Sequence, residues 1–109
     1  NSNEQRMHAE LLRLQEAGEV RAFWFEGITL NLAPRTTLTV DFAVVTKDDL
    51  LELWEVKSGN AKGKPFVMDD ANLKMKVAAA KFPHIKLVVV WWHKSYGFQR
   101  KEIGNNGDD

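Results

Sequence analysis

The stretch Ile85-Lys86-Leu87-Val88-Val89-Val90-Trp91-Trp92 constrains the fold more than any other part of the chain. It is dense in β-branched and aromatic residues, and it is far shorter than the ~18 residues needed to cross a bilayer. A run of this kind reads as a buried strand, apolar on both of its faces. Such a strand needs neighbours and covering layers, which the rest of the chain must supply.

Ser2 or Asn3 can cap a helix running from about Glu4 to Ala17, with Met7, Leu11, Leu14 and Ala17 as its buried stripe and Gly18 as its stop. Val20 to Phe25 is aromatic and β-favouring, fit for an edge strand or an extended segment. Gly27 breaks it, Ile28 to Leu32 reads as a further short strand, and Pro34 and Arg35 begin a turn. Leu38 to Val45 and Leu50 to Lys57 flank the polar turn Lys47-Asp48-Asp49, which predicts a β-hairpin. Residues 58–65 read as a mobile basic loop. Asp69 or Asp70 then caps a second helix, which continues to about Phe82 and is stopped by Pro83. Tyr96 to Ile103 fits no element clearly, and Gly104 to Asp109 reads as a disordered polar tail. A helix between Lys57 and Ile85 implies a crossover, so the last apolar strand should lie parallel to the second hairpin strand. The expected fold is a single α/β domain, residues 1–109, with a mixed β-sheet and flanking helices.

The chain has no net charge, yet its charge is divided along its length. Residues 1–56 carry five Lys/Arg against ten Asp/Glu; residues 57–101 carry ten Lys/Arg against Asp69 and Asp70 alone. An acidic half joined to a basic half suits a site holding a cation beside a phosphate, although segregation by chance gives the same pattern. Cysteine is absent, which excludes disulfides and thiolate zinc sites and suits a reducing cytoplasm. His8, His84 and His93 are too scattered for zinc ligation. With no P-loop, Rossmann fingerprint or nucleophile elbow, no small-molecule organic cofactor is expected; with no apolar span or signal-peptide pattern, no membrane association is expected.

Four ionisable residues stand where apolar ones would be expected. Asp41 interrupts a strand, and Asp is among the poorest strand formers. Glu55 and Lys57 end the partner strand two residues apart and so share a face. Glu10 falls between Met7 and Leu14 on the inward stripe of the first helix. Opposed residues of a hairpin lie roughly 5 Å apart, and two carboxylates that close repel unless a cation sits between them. Mg²⁺ is the natural candidate, since it takes oxygen ligands near ~2.1 Å and keeps several waters. The Val56 carbonyl, between Glu55 and Lys57, would supply another oxygen. Lys57 would orient a water or stabilise charge developing on a phosphate. The plainer readings are a cross-strand ion pair of Lys57 with Glu55 or Glu52, and a helix-surface role for Glu10.

Asp41 in "TVDF", followed by Glu55-Val56-Lys57 on the neighbouring strand, resembles the PD-(D/E)xK, or restriction-endonuclease-like, nuclease superfamily, with Val40 in place of the proline. Within it, "AELLRLQEAGEV … TVDFAVV … LELWEVKSG" is most similar to phage endonuclease I and related phage junction-resolving enzymes, over roughly residues 4–92. The resemblance implies a restriction-endonuclease-like core that hydrolyses DNA phosphodiester bonds, in the cytoplasm of a bacterial host of a phage or prophage. It further implies Glu10, Asp41 and Glu55 as ligands of Mg²⁺ or Mn²⁺, with Lys57 as the catalytic lysine.

Basic residues near that centre are candidates for DNA contact: Lys62 and Lys64 in the loop, and Lys74 and Lys76 on the second helix, one of the latter two at most facing substrate. Glu4 and Glu16 read as solvated helix surface. One small domain offers one cutting centre, so cleavage of two strands predicts a homodimer. The alternatives are a catalytically inactive DNA-binding or assembly module of the same fold, and a dimerising structural protein whose carboxylates merely pair with its lysines.

Overall fold

The computed structural model describes residues 1–58 and 69–104. Helix α1 (Ser2–Glu16) opens the chain. Its cap is Asn1 rather than Ser2 or Asn3: the Asn1 side chain accepts the Glu4 N–H at 2.9 Å, and the Glu4 carboxylate returns to the Asn1 backbone nitrogen. This reciprocal box satisfies donors that the first turn cannot pair internally. At the other end Gly18, at φ 81°, turns the chain into the sheet.

Seven strands follow: β1 (Val20–Phe25), β2 (Thr29–Ala33), β3 (Thr36–Thr39), β4 (Phe42–Thr46), β5 (Leu51–Lys57), β6 (Lys86–His93) and β7 (Gly97–Glu102). Helix α2 (Asp69–Lys81) connects β5 to β6. Five strands form one mixed sheet in the order β1-β4-β5-β6-β7, in which only β5 and β6 run parallel. The crossover and the edge position of β1 are as the sequence predicts. The ambiguous segment resolves as an antiparallel edge strand, β7, beside β6.

The apolar strand β6 is central and covered on both faces. Val88 and Val90 join Met7, Leu11, Phe42, Val44 and Trp54 under α1. Leu87, Val89 and Trp91 join Leu53, Met75, Ala78 and Ala79 under α2, together with Leu30, Leu32 and Leu38. Full burial of each such side chain stabilises by ~1.5–3 kcal/mol, so these two layers hold the sheet between the helices. Among the described residues, no helix is long and apolar enough to cross a membrane.

One expectation is corrected. Leu38 to Val45 is not a single strand of one sheet. Residues 20–46 form a long antiparallel hairpin that is creased in the middle. Its base, β1 with β4, belongs to the main sheet; its tip, β2 with β3, is a separate ribbon against α2. At the crease Glu26 adopts φ 51° and donates its N–H to the Asp41 carbonyl at 2.8 Å, while the Val40 N–H reaches the Ile28 carbonyl at 3.2 Å. Pairing slips by one residue there: Phe25 opposes Phe42, but Thr29 opposes Thr39 instead of Leu38. Gly27 is required at this point, because a Cβ on it would lie 2.9 Å from the Trp24 Cβ. Asp41 sits on the crease, which removes the propensity conflict of an aspartate inside a strand.

Candidate active site

Where β4 turns away at Asp41, β5 continues for three more residues, Glu55 to Lys57, without its partner. In an unbroken ladder Val56 would pair across to β4; instead its N–H donates to Asp41 Oδ2 at 2.7 Å. The N–H and C=O of one strand residue leave on the same side, so the Val56 carbonyl also faces the gap that β4 vacates. Glu55 and Lys57 flank it, with Lys57 Nζ 3.3 Å from Glu55 Oε2. Both are nearly buried, at 10% and 12% exposure for Lys57 and Glu55 respectively.

The electrostatics are those of a crowded acid pair. Burial, first, and then the negative charge of Glu55 push the Asp41 carboxyl up to about 7; the Val56 N–H opposes the shift, and the adjacent Glu4 adds to it. Burial also raises Glu55, against the pull of Lys57 and of a hydrogen bond from Asp41. Among the described residues, Glu55 Oε1 is buried with no hydrogen-bond partner. A buried, unpartnered carboxylate oxygen costs several-fold more than a solvated one unless a cation or a proton meets it.

This pattern fits a divalent ion. The donor set is all oxygen, as Mg²⁺ or Mn²⁺ prefers: Asp41, Glu55 and the Val56 carbonyl. Among the described residues, no three His, Cys, Asp or Glu side chains already stand in a ligating cluster, so the ion would be held by this pair and main-chain oxygen, with waters completing its shell.

Glu10 is not brought to this place. It is buried to 7% exposure and its two oxygens accept from Arg13 Nε at 3.0 Å and Nη2 at 2.6 Å, an ion pair one turn along the same helix. The helix carboxylate that reaches Asp41 is Glu4. Helix α1 runs with its N-terminus toward the crease, as the 2.7 Å hydrogen bond from Asn3 Nδ2 to Ser58 Oγ shows, and its C-terminal end lies by the β4–β5 turn, where the Lys47 N–H meets the Glu19 carbonyl. Glu10, in the middle of the helix, is therefore too far along it. Asn1-x-x-Glu4 is a recognisable capping signature, and that structural explanation conceals the second role of Glu4.

Of the basic residues, Lys74 is half-buried on α2 with its Nζ 3.8 Å from Asp70 Oδ2, and Lys76 is exposed on the same helix. Lys62 and Lys64 lie outside the described residues, as does the expected tail from 105 onward. No family model, curated protein or solved structure matches the chain.

Proposed function

We propose that this protein is a Mg²⁺- or Mn²⁺-dependent nuclease that hydrolyses DNA phosphodiester bonds, built on a restriction-endonuclease-like core. The observation that carries the reading is the unpartnered Glu55 Oε1, buried beside an Asp41 whose carboxyl is pushed up to about 7, with an ammonium group alongside. The structural carboxylate Glu52, by contrast, has both oxygens met by donors and its pKa lowered. The order Asp41, then Glu55-Val56-Lys57 on the adjacent strand, supports the same conclusion.

Asp41, Glu55 and the Val56 carbonyl would hold the ion, which when bound polarises the scissile phosphate and makes water a better nucleophile at neutral pH. The Val56 N–H holds Asp41 Oδ2 and so fixes the orientation of the carboxylate that would ligate. Lys57, now pinned to Glu55 Oε2, stands ready to donate to a phosphate oxygen or to orient the attacking water. Glu4, beside Asp41, would orient a water.

The test is incubation with labelled linear, flapped and four-way-junction DNA in Mn²⁺, with Asp41→Asn and Lys57→Ala as controls. Cleavage by the native chain and none by Asp41→Asn supports the reading. DNA binding without any metal-dependent cleavage would instead identify an inactive binding module, and absence of both would leave a structural protein.

A further inference from the structure

Beside the acid pair is a second, chemically different feature. A cavity of about 220 Å³ is lined by Asn1, Glu4, Gln5, His8, Phe25 and Phe42. Its link to the reacting end is direct: Glu4 reaches Asp41, and Asp41 precedes Phe42 in the chain. Phe42, buried to 1% exposure, is the floor. The Phe25 ring stands on it edge-to-face at 5.5 Å, and His8 packs on Phe23 at 5.3 Å and on Phe42 at 6.4 Å. Phe25 is nonetheless 51% exposed. An aromatic ring half in water at the rim of a cavity has a free face, and the cavity is smaller than the ~300 Å³ at which sites for drug-sized ligands begin. One planar ring system fits it; a base pair does not.

We propose that this cavity receives a single unpaired nucleobase from the strand being cut, stacked on Phe25, with Gln5 and His8 at its polar edge. This inference rests on the nuclease reading above and names the substrate class it acts on. Aromatic faces hold bases with little regard to sequence, because every base presents a π-face. A base inside an intact duplex cannot enter such a cavity without leaving its stack, and that cost is least for a base that is already unpaired. The site therefore selects for structure: a flap, a bulge or a branch end placed next to the scissile phosphate.

The experiment uses duplexes carrying 2-aminopurine at a single-nucleotide bulge or at the matching fully paired position. Fluorescence is titrated with Lys57→Ala protein, in Mg²⁺ and in EDTA, so that binding is read without cutting. Stacking predicts a response from the bulged base alone, roughly tenfold weaker binding of the bulged duplex on Phe25→Ala, and recovery with Phe25→Trp. A melting curve checks that each variant is folded. Equal responses from bulged and paired duplexes, no response at saturating protein, or indifference to Phe25→Ala in a folded variant would overturn the proposal. Cutting assays with the native chain separate it from the nuclease reading. Cleavage with no preference for the bulge and no effect of Phe25→Ala removes the pocket and leaves the nuclease. A stacking response without cleavage by the native chain keeps the pocket and removes the nuclease.

Discussion

Strand β5 carries two glutamates three residues apart, one buried and one nearly so, and they live in opposite conditions. Glu52, 4% exposed, faces α1: its oxygens accept from Arg100 Nη1 at 2.9 Å and Nη2 at 3.0 Å, and from Trp54 Nε1 at 2.9 Å. Burial alone would raise its pKa, but the hydrogen bonds from Arg100 and Trp54 and the nearby positive charges bring it below the ordinary carboxylate value. Glu55 faces the crease with one oxygen orphaned and its pKa raised. Burial is common to both. Completeness of partnering differs, and it separates a carboxylate that holds the fold together from one with an oxygen left over, the atom at which we propose a cation binds.

Substitutions at the two places should have opposite signatures. Asp41→Asn should abolish cleavage and also the gain in melting temperature that Mg²⁺ or Mn²⁺ gives the native chain, while leaving the ion-free protein as stable or more so; calorimetry with and without the ion reads both. Lys57→Ala should lower the rate by about 10²-fold, the scale of one lost donor to a developing charge, and keep the thermal gain. Arg100→Ala should do the reverse of Asp41→Asn, losing about 2 kcal/mol in a denaturant melt because Glu52 is left buried without its bidentate partner, with the metal response intact. Glu4→Gln should cost about tenfold in rate, as supports of ligating carboxylates do, whereas Glu10→Gln should leave the rate unchanged. A rate loss at Glu10 and none at Glu4 would reverse the assignment made here.

The gentlest probe is pH. Asp41 titrates near 7 when folded against an ordinary value of 3.8, so its contribution to stability is fully present below about pH 4 and is lost as pH rises toward about 7. Glu52, with its lowered value, acts in the opposite sense and only below the ordinary carboxylate range. Ion-free native protein should therefore melt lower at pH 7.5 than at pH 5.5 by more than Asp41→Asn does. Added Mg²⁺ should flatten or invert that slope, since the ion displaces the shared protons.

Much of this was legible in the chain. The periodicity of residues 4–17, the turn at 47–49, Pro83 and the apolar run 85–92 give both helices, the hairpin and the parallel crossover, because each depends on local pattern and on a connection rule. The crease was not legible: Val40 and Phe42 are both apolar, so alternation passes through Asp41 without a break, and only tertiary pairing reveals that the strand changes sheets. Asp41 stood out as a candidate by its misfit with β propensity, and Glu55 and Lys57 by sharing a face at the end of the partner strand. Glu4 did not, since a helical stripe says which residues face inward but not which end of the helix overlies the acids; that is fixed by the direction of α1 across the sheet. Strand β7 was obscure because Gly97-Phe98-Gln99-Arg100-Lys101-Glu102 owes its conformation to pairing with β6 rather than to its own preference.

The fold in the long hairpin has a mechanical corollary. The ribbon tip at 29–39 and the base at 20–25 and 42–46 are one covalent lever, and Asp41 is its fulcrum. A force that lifts the tip from α2 acts through the backbone on the carboxylate that the Val56 N–H holds in place, which ties the packing of Leu30, Leu32 and Leu38 on the far layer to the aim of Asp41.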